Sequence, residues 1–337
     1  MNSAEMIKVL KAVITGRKQK SEILNMAHIT PVSISGTEFN DEMVSYRINT
    51  GLKEMLVNSR QLLTILKALP KKITGEIFIE SGNVSIGSKL VGVVDTINIE
   101  DLPVMEAVEL VELTRIPCNI LKSAALFMAK QDVRYYLNGV YINVEDEKIQ
   151  ATDGHRLFEC ELLHDIDGAS IIINGDAIKL AVKLLKGNVL IQVAGGRVIL
   201  SDSTKLINIS ADLVDGKYPE FKRIIKDELP DYTTFNVDQS LAALKALKPL
   251  VNNYKIVSLH TPGKFEVLSV AHDVECIGCS KAESIWLNID YLIDVFKSLK
   301  DHKHEKATIG FSDEKGLIQI EEDGKKYLIM PLRKPKK

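Results

Sequence analysis

Three segments of this chain are written on one template. VNSRQLLTILKAL opens at Val57, INGDAIKLAVKLL at Ile173 and LNIDYLIDVFKSL at Leu287, so their starts lie 116 and 114 residues apart. Each begins with an apolar residue and then an asparagine (Asn58, Asn174, Asn288) whose side-chain oxygen can accept from the free amides of a first helical turn. Apolar residues then recur at matching offsets: Leu62, Ile178 and Leu292; Leu66, Val182 and Phe296; Leu69, Leu185 and Leu299. That spacing buries one face of a helix. A looser helical template precedes each copy: AEMIKVLKAV from Ala4, PCNILKSAALFMAK from Pro117 and DQSLAALKAL from Asp238. Pro117 suits a first helical turn, where its missing N–H removes nothing, and Asp238 suits an N-cap. Amphipathic helices resemble one another by chance, but chance does not also preserve the interval. The chain reads as one unit used three times.

Short alternating strands fill the intervals. EIFIESGNVSIGSKL, NVLIQVAGGRVILSDS and ATIGFSDEKGLIQIEED carry Ser-Gly-Asn, Gly-Gly-Arg and Asp-Glu-Lys-Gly at their centres, which is the chemistry of hairpin turns. The expected class is α+β, in three domains over 1–113, 116–226 and 231–337, each with two helices and many antiparallel strands. The expected junctions are Glu112–Ile116 and Lys226–Asp231, the second carrying Pro230. In the middle of the chain Arg134-Tyr135-Tyr136-Leu137 enters a strand pair. VYINV and KIQAT alternate as in a half-buried hairpin, and Thr152-Asp153-Gly154-His155-Arg156-Leu157 leaves it through an Asp-Gly turn.

Composition excludes more than it selects. With 45% apolar and 26% charged residues the chain is ordinary globular material. Its apolar runs fall far short of the ~18 residues that span a bilayer. MNSAEMIKVLKAV has no basic stretch followed by a long apolar one, so no signal peptide is expected. Four cysteines (Cys118, Cys160, Cys276, Cys279) do not make a disulfide framework in so long a chain, and a reducing cytoplasmic setting is expected. The formal net charge is only −2, but it is unevenly placed. Six helical windows (4–20, 57–73, 117–131, 174–188, 238–248 and 287–303) hold 19 Lys and Arg against 6 Asp and Glu, leaving −15 for everything else. Helix C-termini favour basic residues, which explains part of this segregation. The sharper reading is six helices presenting a basic face to a polyanion, bound through phosphates without regard to sequence.

No active site assembles. Cys276 and Cys279 have the spacing of half a zinc site, with His302 and His304 downstream, but a second ligand pair at metal spacing is missing, and strand thiols are the plainer reading. Asp153 and His155 lack a nucleophile, so a hydrolase is the weakest reading. No phosphate-binding GxxxxGK[ST] occurs, and Gly195-Gly196 reads as a turn. Tyr135 and Tyr136 could stack on bases, although one of two adjacent strand tyrosines usually faces a core. Three pieces look like exposed apolar surface rimmed by cations. They are Leu328–Arg333, Tyr218–Ile224, and Leu137 with His155-Arg156-Leu157; together they have the make-up of a peptide groove.

QDVRYYLNG (Gln131–Gly139), ATDGHRL (Ala151–Leu157), LVDGKYPEFKRI (Leu213–Ile224), LNIDYLIDVFKSL (Leu287–Leu299) and YLIMPLR (Tyr327–Arg333) resemble the bacterial sliding clamp family, the β subunit of DNA polymerase III. SGTEFNDEMV (Ser35–Val44) and IEDLPVM (Ile99–Met105) extend the likeness into the first unit. The resemblance implies three tandem clamp domains and a head-to-tail homodimer closed into a six-domain ring around duplex DNA. It implies no chemistry, no cofactor, no metal and no membrane. Its partners would be duplex DNA, a second copy, the polymerase, the clamp loader and other proteins carrying a short Gln- and Leu/Phe-containing peptide. The peptide pocket carried over by motif consists of Leu137, Thr152, Gly154, His155, Arg156, Leu157, Pro219, Arg223, Ile224, Asn288, Tyr291, Leu317, Ile329, Met330, Pro331, Leu332 and Arg333. The DNA contacts that the resemblance implies are Arg134, Tyr135 and Tyr136, carried over by motif, and Arg17, Lys18 and Lys20 in the first domain's loop, placed more by position. The edge strand around Lys89–Val94 is expected to meet the third domain of the other subunit. Lys334-Pro335-Lys336-Lys337 departs from the family pattern, and a decoy or resistance copy that binds partner peptides without encircling DNA is the alternative.

Overall fold

The computed structural model describes residues 1–14, 25–37, 43–70, 73, 75–97, 109–162, 166, 168–226, 231–251, 253, 255–260, 263–267, 270–278, 284–311 and 317–333. One order of elements recurs three times. The first repeat runs α1 (Ser3–Val13), β1 (Met26–Thr30), β2 (Ser33–Thr37), β3 (Met43–Arg47) and β4 (Met55–Asn58). It continues with α2 (Ser59–Ala68), β5 (Ile77–Glu80), β6 (Asn83–Ile86), β7 (Lys89–Val93) and β8 (Thr96–Ile97). The second opens on β9 (Val111–Pro117), then α3 (Cys118–Phe127), β10 (Gly139–Asn143), β11 (Lys148–Thr152), β12 (Arg156–Glu161) and β13 (Ile171–Asn174). After it come α4 (Gly175–Leu184), β14 (Asn188–Ala194), β15 (Arg197–Ser201) and β16 (Ile207–Asp212). The third runs β17 (Asp231–Asn236), α5 (Val237–Leu247), β18 (Ile256–His260), β19 (Lys264–Val267), β20 (Val270–Asp273), β21 (Cys276–Gly278) and β22 (Ser284–Asn288). It ends with α6 (Ile289–Asp301), β23 (Lys306–Phe311), β24 (Ile318–Glu322) and β25 (Lys325–Ile329). In the first repeat the place of β9 and β17 is taken by a bridge from Asn2 to Glu76.

Local chemistry sets the boundaries. Asn58 accepts from the Gln61 N–H, Asn174 from Asp176 and Asn288 from Asp290, so all three expected asparagines cap their helices. Leu62, Ile178, Leu292, Leu66, Phe296, Leu185 and Leu299 are buried as their spacing requires, while Leu69 and Val182 are half-buried. Burying one such side chain contributes about 1.5–3 kcal/mol. Ser81-Gly82, Gly195-Gly196 and Asp323-Gly324 hold positive φ at both central positions, the type I′ geometry that closes β5–β6, β14–β15 and β24–β25.

The chain forms two compact units, Met1–Cys118 with Lys179–Leu213, and Asn119–Ile178 with Val214–Lys337. In the first, an antiparallel nine-stranded sheet runs β8-β4-β1-β2-β3-β16-β15-β14-β9, and a second sheet is β5-β6-β7. In the other, the nine-stranded order is β13-β10-β11-β12-β25-β24-β23-β17-β21, and the smaller sheet is β20-β19-β18-β22. Each large sheet is therefore two four-stranded halves from consecutive repeats with one short edge strand added. The seams are equivalent: the third strand after a repeat's first helix pairs with the third strand after the next repeat's second helix, as β3 with β16 and β12 with β25. Across the second seam Phe127, Phe158 and Tyr327 form an aromatic cluster with centroids 5.3–5.7 Å apart.

Several expectations need correction. Tyr135–Asn138 is a 3-10 turn, and the strand begins only at Gly139. Pro117 is the last residue of β9 rather than part of α3, and the expected junction Glu112–Ile116 lies inside that strand. Asn236, accepting from the Gln239 N–H, caps α5; Asp238 sits within the first turn and pairs with Lys300 at 2.6 Å. β11 is buried on both faces instead of alternating, because Gln150 packs inward to hydrogen-bond Glu159. The Asp313–Gly316 turn lies outside the described residues.

Candidate functional site

The turn between β11 and β12 is built by its own side chains. Asp153 Oδ1 accepts from the N–H groups of His155 (3.0 Å) and Arg156 (3.2 Å), while Gly154 takes φ +89°. Thr152 Oγ1 accepts from the Gly154 N–H (3.0 Å) and donates to the Arg156 carbonyl (2.6 Å). A Cβ at position 154 would lie 3.0 Å from the Arg134 guanidinium, so both backbone angle and space favour glycine. Short polar side chains bonding to backbone two or three residues on make such a turn rigid. Asp153 is thereby committed to structure.

Arg156, expected as a pocket wall, lies mostly beneath the surface. It is only 8% exposed. Its Nε donates to Asp153 Oδ2 (3.0 Å), one terminal nitrogen to Asp294 Oδ2 (2.8 Å) and the other to the Leu126 carbonyl (2.7 Å). Its Cζ also lies over the rings of Phe127 and Tyr291, 4.9 and 4.4 Å from their centroids. Leu137, Thr152, Leu157 and Ile329 are likewise buried; Leu137 packs with Ala129, Ile172 and Tyr218. These residues are foundation rather than surface.

The accessible candidates stand over that foundation. β25 pairs with β12 as far as Ile329 opposite Arg156, after which the Met330 N–H donates to the His155 carbonyl (2.9 Å) and the Leu332 N–H to the Trp286 carbonyl (2.7 Å). This pins the C-terminal segment and leaves Met330 49% exposed, with Pro331 and Leu332 half-buried and His155 and Arg333 exposed. The segment 218–226 is tied at both ends. The Tyr218 hydroxyl accepts from the Thr152 N–H (3.1 Å), and Lys226 exchanges two hydrogen bonds with the Gln319 side chain (3.2 and 2.8 Å). Tyr218 stacks on Tyr141 (4.8 Å) and takes the edge of Phe221 (6.2 Å); burial pushes its phenol upward. Between the ties Pro219 is half-buried, and Arg223 and Ile224 are exposed. Tyr291, Asn288 and Leu317 are half-buried. Burial also raises the Tyr291 phenol, with the Asp153 charge acting in the same direction and Arg156 against it.

Of the DNA candidates, Arg17, Lys18 and Lys20 lie outside the described residues. Arg134 grips Asp132 through two nitrogens (3.0 and 2.8 Å) and holds that carboxyl at about 2. Tyr135 is 58% exposed, whereas Tyr136 packs against the Tyr218 cluster. Part of the helical charge is structural, as in the Lys122–Asp301 (2.7 Å) and Lys300–Asp238 pairs. Lys8, Lys11, Lys67, Lys183 and Lys245 are exposed and make no ion pair among the described residues. Cys276 is a free thiol on β21, Cys279 is outside the described residues, and no group of three metal-ligating side chains occurs among the described ones.

Residues 117–220 match the family model for the DNA polymerase III β subunit, central domain. Over 90% of this chain, the β sliding clamp of Proteus mirabilis is 26% identical and that of Escherichia coli K12 is 25% identical, covering 89% and 88% of those proteins. By family model, by curated relatives and by fold, the chain is similar to the bacterial sliding clamps. Two solved clamps share its fold over 99% of this chain. A DNA polymerase III subunit β from Pseudomonas aeruginosa has a TM-score of 0.82 at 24% identity, covering 99% of that chain. A clamp from the same organism bound to griselimycin has a TM-score of 0.84 at 23% identity, covering 98% of that chain. The three repeats are thus three tandem clamp domains. No helix among the described residues is long and apolar enough to cross a membrane.

Sequence reading missed Asp294 and Phe127. A usable signal existed for the first: Asp294 follows Tyr291 by three positions on α6 and so shares its face. None existed for Phe127, whose partner Arg156 is set by tertiary packing.

Proposed function

We propose that this chain is a processivity clamp: two copies join head to tail into a six-domain ring that encloses duplex DNA. The ring tethers the replicative polymerase and other partners through a short peptide docked near Met330. The observation that carries this reading is the seam rule. Two seams lie within the chain, and the rule leaves one four-stranded half ending at β20 and one three-stranded sheet ending at β7. Under the same rule β20 of one copy pairs with β7 of another, and two such pairings close the ring. β7 exposes Leu90 and Val93 at its edge, as an unsatisfied strand would. The edge strand expected from the resemblance is this one.

Such a ring works topologically. It needs no active site of its own and only weak phosphate contacts, to which the exposed lysines of α1, α2, α4 and α5 are suited. A cytoplasmic protein is the corresponding setting. Domain limits at 1–113, 116–226 and 231–337 fit this scheme, with β9 counted as the opening strand of the second. The deciding measurement is retention on nicked circular DNA after loading. Release on linearisation is expected, and retention that ignores linearisation would sink the tether mechanism in favour of a peptide-binding copy that does not encircle DNA.

A further inference from the structure

We propose that Asp294 is the positioning residue of the partner pocket, acting through Arg156 rather than by touching the peptide. This rests on the pocket reading above. Arg156 comes from the second repeat and is held by three acceptors and by contact with two aromatic rings. Two of those partners, Asp294 and Tyr291, come from α6 of the third repeat. The guanidinium is therefore the joint by which the third repeat sets the β11–β12 turn. That turn supplies the His155 carbonyl on which the Met330 N–H rests. Asp294 thus reaches the exposed Met330 side chain through Arg156, the Asp153–His155 turn and one backbone hydrogen bond.

The charge count favours tight control. Two carboxylates, Asp153 and Asp294, serve one buried cation; Asp153 is also bound to the turn's own N–H groups, and Asp294 faces a second cation, Lys297, at 3.8 Å from Oδ1. Removing the Asp294 charge leaves Arg156 held by Asp153, the Leu126 carbonyl and the Phe127 and Tyr291 rings, with no carboxylate from the third repeat to direct it, and lets Lys297 turn away. A planar guanidinium fixes direction as well as charge, so loss of one acceptor permits rotation rather than simple weakening. Coupling through such a network is worth 0.5–2 kcal/mol, and roughly tenfold in affinity is expected.

The test uses the full chain and a short fluorescein-labelled peptide carrying a glutamine followed by a Leu-Phe pair. Peptide affinity is measured by anisotropy, and amide exchange at Met330 by mass spectrometry, in wild type, Met330→Ala, Asp294→Asn and Asp294→Glu. Asp294→Asn is expected to weaken binding roughly tenfold and to quicken Met330 exchange, with Asp294→Glu between it and wild type. Where Asp294→Asn does not fold, Asp294→Glu decides alone, by a joint shift in both readouts. Unchanged affinity and exchange in the Asp294 variants, with Met330→Ala still impaired, overturns the positioning role and leaves the pocket standing. A wild-type chain that ignores the peptide overturns both.

Discussion

Met330 and Arg156 divide the work of one site between contact and support. Met330 is half-exposed, lies beyond β25, and its backbone N–H donates to the His155 carbonyl. Met330→Ala is expected to weaken binding of a clamp-motif peptide about tenfold, as loss of an apolar anchor does, with no change in melting temperature. Arg156→Lys is expected to do the reverse of that pattern at the level of the fold. A lysine keeps the charge but cannot meet three acceptors and two ring faces at once, and about 2–4 kcal/mol of stability should be lost in urea titration. These roles were unequally legible in the sequence. Asn58, Asn174 and Asn288 could be read as caps because a cap concerns its own next three residues. The burial of Arg156 could not, because the acceptor Asp294 lies 138 residues away.

At the scale of elements, α3 and α6 meet through a polar chain rather than an apolar face. The Asn119 amide nitrogen lies 3.1 Å from His302 Nδ1, His302 Nε2 lies 3.0 Å from Ser123 Oγ, and Ser298 Oγ joins Ser123 (2.6 Å) to the Tyr327 hydroxyl (2.8 Å). Asn119 Oδ1 accepts from the Ile120 N–H, so its NH2 faces the ring and requires an accepting, unprotonated Nδ1. Burial, with Lys325, His304 and Lys122 nearby and Asp301 opposing, holds His302 down at about 4. A histidine whose folded value lies below its ordinary ~6.5 stabilises fully above that pH and loses its contribution as pH falls towards 4. Thermal melting should therefore drop between pH 6.5 and 4, and His302→Gln should flatten that slope; an unchanged slope counts against this contact. Helix existence and face were legible from spacing, yet the 3-10 turn at Tyr135–Asn138 was not. Gly175 follows β13 so closely that a Cβ there would fall 2.2 Å from the Asn138 carbonyl, a constraint that local propensity does not carry.

For the whole molecule, the free edges are the decisive feature. Placing glutamate at Leu90 and Val93 puts charge on the β7 edge without touching either internal seam. Sedimentation should then report a folded single copy where wild type sediments as a pair, and a pair that persists removes β7 from the contact. Charge reversal at Lys18 and Lys20 should lower DNA affinity and flatten its dependence on salt, since each neutralised phosphate contributes about 0.9 to the logarithmic slope. The triplication was legible because helical spacing survives in the sequence. The sharing of sheets between repeats was not, since strand pairing across a seam leaves no local pattern.

The equivalence of β3–β16 and β12–β25 makes the position of the chain ends arbitrary. A circular permutant beginning at β9 and ending after β8, with the old termini joined, would carry the same three kinds of seam in the same cyclic order. Only the bond status of each junction would differ. In the proposed ring, the two pairings made between copies would move from β20–β7 to β3–β16.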